Sequence, residues 1–315
     1  MPTRTEKIRE AAKRLLSEGK VDVVIGYRAG SIPLKNAPYF ARTADEADNL
    51  IWDSNCRINL ANFLPRRKDK VAVVAKGCDA RNIINHIVEN QITRDQVHII
   101  GVPCDGMIEP ELVLEKEGRL IEEAIEADGR LTLKGKDFTT TLDRADLLRQ
   151  NCRTCVHRNP PVYDELVTDP VPEQEGVDRY ADLKELLAKP DSERYAYFNN
   201  LVKDCIRCYA CRDACPLCYC HVCFVDETMP QWVGKSQDQG DIMTYHLLRA
   251  FHCAGRCTDC GACEAACPMN IKVRQFTRLL EKDVNEIYGY EAGLSLDKTP
   301  PLTVYRPDDP QEFIK

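Results

Sequence analysis

One cysteine spacing occurs twice in this chain, and the repeat restricts the fold more than any other feature of the sequence. In each run the cysteines are separated by two, two and three residues, and a proline follows the fourth cysteine. The two runs span 205–216 and 257–268. Cysteines at this spacing are typical of chains that bind two iron–sulfur cubanes side by side.

The spacing also predicts which cysteine binds which cluster. In the bacterial ferredoxin pattern, the first three thiolates of a run bind one 4Fe–4S cluster and the fourth binds the other. The first cluster is predicted to be held by Cys205, Cys208, Cys211 and Cys267. The second is predicted to be held by Cys257, Cys260, Cys263 and Cys215. Because the crossing keeps the two clusters close together, such a module suits one-electron transfer.

Composition and charge indicate why the chain contains so many cysteines. The chain has 315 residues, 17 of them cysteine, and a formal net charge of −7. The N-terminus lacks the apolar core of a signal peptide and no apolar run could span a bilayer, so we expect a cytoplasmic protein. In a reducing compartment, clustered cysteines usually bind metal rather than form disulfides. This spacing is more typical of an iron–sulfur cluster than of a zinc site. The negative charge argues against a nucleic-acid surface.

Strand and helix patterns alternate before the first cysteine run. Short apolar runs predict strands at 21–27, 71–75 and 97–102. Helices are predicted at 4–18, 43–64, 80–89 and 111–127, and a hairpin at 131–141. Alternation of this kind is typical of a mainly parallel sheet. We therefore predict an α/β N-terminal domain over residues 1–157.

The rest of the chain is predicted to be largely helical. A polar, proline-rich stretch at 158–178 has the composition of a linker. The following domain, over 179–290, carries the dicluster ferredoxin module, with an insertion at 217–252 between the two runs. Its predicted helices lie at 180–189, 192–203 and 276–288. Residues 291–315 are predicted to form an extended tail.

Four further cysteines predict a third 4Fe–4S cluster in the α/β domain. Cys78 and Cys104 each follow a predicted strand, where ligands gather in open α/β sheets, and Cys152 and Cys155 form a CxxC pair. The simpler alternative is that Cys78 and Cys104 are small buried residues. Cys56, within the helix predicted at 43–64, is interpreted as a packed thiol that could replace one of the four ligands.

The insertion carries cysteines that these three clusters do not use. Cys218, Cys220 and Cys223 follow the first run closely, and Cys253 lies just before the second. They could bind a fourth cluster, with His221 as a substitute ligand. Alternatively, they pack around the two ferredoxin clusters, tune them or stay free.

The order of these motifs resembles the beta-subunit family of deazaflavin-coenzyme-dependent hydrogenases and formate dehydrogenases. The resemblance covers residues 1–275 and rests on three parts of the α/β portion: Gly77-Cys78, the stretch from Gly101 to Gly106, and Cys152-Arg-Thr-Cys155. The run from Cys215 to Cys220 is most similar to the formate dehydrogenase subunits. The resemblance implies one cluster, on Cys78, Cys104, Cys152 and Cys155, beside a flavin, plus a ferredoxin module. Flavin-binding members open with a glycine-rich turn, whereas this chain has no glycine before Gly19, so FAD is not assigned.

Two functions follow from these predictions. The first is an iron–sulfur electron-transfer subunit of a multi-subunit anaerobic oxidoreductase, with a formate dehydrogenase, hydrogenase or heterodisulfide-reductase type of partner. The sequence contains no dinucleotide fingerprint, P-loop or nucleophile motif, and we expect no catalytic residue. The alternative is a flavin-containing subunit that exchanges hydride with a deazaflavin or nicotinamide coenzyme.

Overall fold

A computed structural model describes residues 2–310 of the chain. These residues form two compact units. The first contains the chain up to Leu60, together with Arg66–Ala80 and Ile92–Val177. The second contains Ala61–Pro65, Arg81–Gln91 and the chain from Asp178 onward. No helix within the described residues is long and apolar enough to cross a membrane.

The described strands belong to the first unit. They are β1 (Val23–Ala29), β2 (Asn36–Ala41), β3 (Val71–Ala75), β4 (Val97–Gly101), β5 (Glu123–Ala127), β6 (Arg130–Gly135), β7 (Phe138–Asp143) and β8 (Glu165–Leu166). The helices are α1 (Arg4–Ser17), α2 (Gly77–Val88), α3 (Pro110–Glu117), α4 (Gln150–Arg153), α5 (Lys184–Leu187), α6 (Asp191–Leu201), α7 (Ala210–Asp213), α8 (Gln239–His252), α9 (Ala262–Ala265) and α10 (Arg274–Tyr288).

A five-stranded sheet with the order β2-β1-β3-β4-β8 forms the core of the first unit. The pairs β1/β3, β3/β4 and β4/β8 are parallel, and the edge pair β1/β2 is antiparallel. Every residue of β3 is buried, which explains its uninterrupted Val and Ala sequence. The predicted mainly parallel α/β layer is therefore confirmed. Residues 158–177, a segment predicted as a linker, belong to this unit and supply β8.

Other predictions for the first unit were wrong in part. The helix predicted at 43–64 is replaced by two short 3-10 turns, Glu46–Asn49 and Leu60–Phe63. Asp53 is one reason, because its carboxylate accepts a hydrogen bond from the amide of Asn55 at 2.7 Å, a local turn that competes with helix. Cys56 is consequently not helical.

The helix predicted at 111–127 ends early. Gly118, at φ +68°, caps α3, and β5 then pairs with β6 in an antiparallel three-stranded sheet. The predicted hairpin is confirmed as β6 and β7 of the same sheet. Tertiary pairing has overridden the helix propensity of the Glu- and Ala-rich β5.

The second unit is helical. The predicted helices at 192–203 and 276–288 are present as α6 and α10, which with α8 enclose a core containing Val202, Tyr245 and Phe276. The predicted helix at 180–189 is shorter, a 3-10 turn followed by α5. The tail prediction falls within the described residues only up to Pro310, and the regular structure there is one 3-10 turn at Pro301–Thr303.

Candidate iron–sulfur sites

The two cysteine runs fold into the same backbone turn. Arg207 and Tyr209 in the first run are left-handed, as are the equivalent Asp259 and Gly261 in the second. In both runs the amide two residues after the first cysteine donates to its sulfur at 3.4 Å. The short helices α7 and α9 begin directly after these turns and lie against each other. The sequence repeat is therefore a structural repeat.

The four cysteines predicted for the first cluster line one cavity. They are Cys205, Cys208, Cys211 and Cys267. The Nε2 atom of His246 lies 3.4 Å from the Cys205 sulfur, and the amide of Ile271 donates to the Cys267 sulfur at 3.4 Å. Hydrogen bonds to sulfur are one of the means by which proteins set the reduction potential of a cluster.

The four cysteines predicted for the second cluster line a different cavity. They are Cys215, Cys257, Cys260 and Cys263, and Cys253 is a fifth. Hydrogen bonds from the thiols of Cys218 and Cys253 lower the pKa of Cys215 well below its ordinary value. Cys215 therefore lies between this cavity and the extra cysteines of the insertion.

Helix α8 supplies two side chains to which the sequence patterns assigned no role at the clusters. His246 is one, and Arg249, 4% exposed, is the other. The guanidinium of Arg249 donates to the carbonyl of Cys211 at 2.9 Å. Burial opposes its charge, but the neighbouring sulfurs, Cys215 first, raise its pKa above the ordinary value. His246, Arg249 and Cys253 are spaced so that they share one face of a helix, and this spacing could have predicted that they lie together.

In the α/β domain, the chain after β4 brings Cys104 close to Cys152 and Cys155. Gly106 donates its amide to the Cys104 sulfur at 3.4 Å, and Met107 donates to the Cys152 sulfur at 3.3 Å. Burial, together with the neighbouring sulfurs of Cys152 and Cys155, raises the pKa of Cys104 to about 12. A thiol in such surroundings ionises readily only when a cation is bound to it.

Cys78 lies at the start of α2, directly after Gly77. A Cβ atom on Gly77 would lie 2.4 Å from the carbonyl oxygen of His157, so only glycine allows α2 to approach the chain after Cys155. The preceding Lys76 is buried, and its Nζ donates to Asp79 Oδ2 at 2.8 Å and to the Tyr27 hydroxyl at 2.9 Å. The buried ion pair of Lys76 and Asp79 therefore fixes the first turn of α2, which contains Cys78.

The remaining cysteines lie in two places. Cys56 is fully buried, and Asn36 donates to its sulfur at 3.5 Å. Burial raises its pKa far above the ordinary value, as expected for a packed thiol. The insertion cysteines and Cys253 instead share a third cavity, of about 550 Å³, and they are Cys218, Cys220, Cys223 and Cys253.

None of the cysteines within the described residues forms a disulfide. Between residues 2 and 310, no three His, Cys, Asp or Glu side chains have the arrangement of a site for one metal ion. A cubane differs from such a site because each thiolate binds a different iron atom. Soft thiolates that line one cavity and accept amide hydrogen bonds have the donor chemistry of that group.

A fourth cavity, of about 290 Å³, adjoins the turn after Cys104. Charged side chains of both signs line it, among them Arg4, Asp105 and Arg144. The α1 terminus beside it is closed by its own residues, because the Thr3 amide donates to Glu6 Oε2 at 2.6 Å. An anionic diphosphate at this terminus would have to displace the Glu6 carboxylate.

Two curated proteins are similar to this chain over nearly its whole length. One is the F420-dependent formate dehydrogenase subunit beta of Methanocaldococcus jannaschii, 25% identical over 92% of this chain and 92% of that protein. The other is the F420-dependent formate dehydrogenase 1 subunit beta of Methanococcus maripaludis, 25% identical over 92% of this chain and 90% of that protein. The resemblance predicted from its motifs is thereby confirmed.

A solved structure also aligns with part of this chain. It is the xenon-derivatised F420-reducing [NiFe] hydrogenase complex from Methanosarcina barkeri, with a TM-score of 0.40 and 14% identity over 50% of this chain and 60% of that chain. No protein-family model matches the chain.

Proposed function

We propose that the protein is the iron–sulfur electron-transfer subunit of a multi-subunit oxidoreductase. It would relay single electrons between a catalytic partner and an acceptor. The observation that carries the proposal is the repeated cysteine turn, whose two crossed ligand sets line two separate cavities of the second unit. Clusters held in this way supply reversible one-electron oxidation and reduction.

The residues of the chain would bind and tune these groups. Eight cysteines of the repeat would hold two 4Fe–4S clusters, and Cys78, Cys104, Cys152 and Cys155 would hold a third. Amides such as those of Arg207 and Asp259 donate to the sulfurs and so delocalise their negative charge. The buried cation of Arg249 lies beside both ferredoxin sites and would favour the reduced, more negative state.

The relatives indicate the kind of complex. Both are named as beta subunits of F420-dependent formate dehydrogenases, and their names imply a larger enzyme. We infer that this chain likewise assembles with a dehydrogenase, hydrogenase or heterodisulfide-reductase-like partner, in anaerobic metabolism.

The cavity beside Cys104 favours a second candidate function. A flavin there would allow hydride exchange with a deazaflavin or nicotinamide coenzyme next to the α/β cluster. Against it stands the carboxylate of Glu6, which occupies the α1 terminus where a phosphate would bind. Acid extraction of the purified protein, followed by absorption spectroscopy, distinguishes the two functions: released flavin supports the second.

Alanine variants test the leading proposal. We expect Cys208→Ala and Cys260→Ala each to lose about four irons per chain, because each removes one ligand of a different cluster. The control is Cys56→Ala, which alters a buried thiol outside the three ligand sets and should keep its iron. Iron and sulfide are quantified anaerobically, and electron transfer is measured in the assembled complex. Unchanged iron in both ligand variants would contradict the proposal.

A further inference from the structure

The cavity of about 550 Å³ in the second unit is lined by cysteines that the proposed three-cluster relay does not use. Two elements bring them together. Cys218, Cys220 and Cys223 come from the insertion, and Cys253 caps the C-terminus of α8. Cys253 is 2% exposed, whereas Cys220 is exposed at the surface. The set therefore extends from the interior of the unit to solvent.

The insertion cysteines are held by turns rather than by regular structure. The amide of Cys218 donates to the carbonyl of Cys215 at 3.0 Å, and the carbonyl of Cys223 accepts from Asp226 at 2.8 Å. Cys223 also packs against the apolar core of the unit. Both ends of the CxCxxC stretch are thus fixed beside Cys253.

Arg249, which also adjoins the ferredoxin sites, indicates that a negative group belongs beside this cavity. Its side chain lines this cavity, and its Nε is buried without a hydrogen-bond partner among the described residues. The other arginines of the wall have carboxylate partners: Arg212 binds Asp226 at 2.9 Å, and Arg256 binds Glu89 at 2.6 Å. A buried guanidinium with an unused donor is costly unless a negative group lies nearby.

We propose that Cys218, Cys220, Cys223 and Cys253 hold a fourth 4Fe–4S cluster, with Arg249 as the cation that balances its charge. Four thiolates are the full ligand set of a cubane. A single zinc ion would need several of these side chains grouped around one point, and no three His, Cys, Asp or Glu side chains of the described residues have that arrangement. The role of this site as a further one-electron carrier rests on the proposed function, but the metal site itself does not.

Metal analysis of the full-length protein tests the proposal. The protein is purified and reconstituted anaerobically, and iron, sulfide and zinc are measured per chain. We expect about sixteen irons in the parent protein and about twelve in Cys220→Ala and in Cys223→Ala. The spin count of the dithionite-reduced protein by electron paramagnetic resonance should fall by about a quarter. Cys220→Ser and Cys223→Ser, with circular dichroism, show whether any loss comes from misfolding.

Either of two results would overturn the proposal. They are the iron content of the parent protein in both cysteine variants, or one zinc per chain that these variants lose. Cys208→Ala separates this outcome from failure of the proposed function. If only the fourth site is wrong, Cys208→Ala still loses about four irons while Cys220→Ala loses none.

Discussion

Arg249, on helix α8, lies beside both of the predicted ferredoxin sites. The residue is buried, donates to the carbonyl of Cys211, and lies beside the sulfurs of Cys215 and Cys263. A cation in a low-dielectric surrounding stabilises added negative charge more strongly than one in water. The charge of Arg249 would therefore raise the reduction potentials of the two proposed clusters.

We expect Arg249→Met to shift the reduction potentials of the two proposed ferredoxin clusters to more negative values, because the reduced state loses a buried cation beside it. Arg249→Lys should shift them less. Redox titration monitored by electron paramagnetic resonance measures the effect. Arg194→Met, which alters an exposed arginine of α6 paired with Asp191, should leave the potentials unchanged. Equal potentials in Arg249→Met and the parent protein would disprove this role.

The two copies of the repeated turn have different residues at one equivalent left-handed position. Gly261 has φ +69° and Tyr209, at the equivalent position, has φ +60°. A side chain in this conformation costs free energy, and Tyr209 offsets that cost by its edge contact with Tyr245.

We expect Gly261→Ala to lower the free energy of unfolding by about 1 kcal/mol, because alanine would have to adopt the left-handed φ of this position. The matched control is Gly240→Ala in the first turn of α8. An added Cβ meets nothing within 4 Å there, so this change should be neutral or slightly stabilising. Anaerobic thermal unfolding of the loaded proteins compares the two. A higher stability for Gly261→Ala would contradict the strain argument.

Elements whose sequence pattern matches their surroundings could be predicted, and the others could not. The buried strand β3 was predicted to the residue, because a parallel strand with both faces covered is uniformly apolar. The edge strand β2 was missed, since it contains Pro38 and lies at the margin of the sheet, where an apolar pattern is not required. The two ferredoxin ligand sets stay a prediction from spacing, although the cysteines of each set line one cavity. The burial of Arg249 was not predicted, because an arginine in a helix is ordinarily solvated.

At the scale of the whole molecule, the second unit is not one continuous stretch of chain. Its segment Arg81–Gln91 hydrogen-bonds close to the cysteine runs. Asn82 donates to the Thr258 hydroxyl at 2.7 Å, and Asn85 donates to the Arg256 carbonyl at 2.8 Å. The ring of His86 lies 2.7 Å from the carbonyl of Pro216. A fragment that begins after the predicted linker lacks this segment, and with it all three contacts.

We therefore expect the fragment 178–315 alone to retain less than half of the iron that it holds when it is expressed together with 1–177. Without this segment, the carbonyls of Pro216 and Arg256, which adjoin Cys215 and Cys257, lose their side-chain partners. Iron per fragment after anaerobic purification is the measurement. A fragment that keeps its iron and its melting temperature on its own would show that the segment is dispensable.

The crossed assignment of Cys211 and Cys267 has a consequence for the biosynthesis of the protein. The last predicted ligand of the first cluster lies 56 residues beyond the third, on the far side of the insertion. Neither predicted cubane can receive its full ligand set until the ribosome has translated most of the second run. Assembly of either predicted cluster can therefore be completed only after the second run has been translated. A nonsense codon before residue 257 would leave both predicted ferredoxin sites short of ligands.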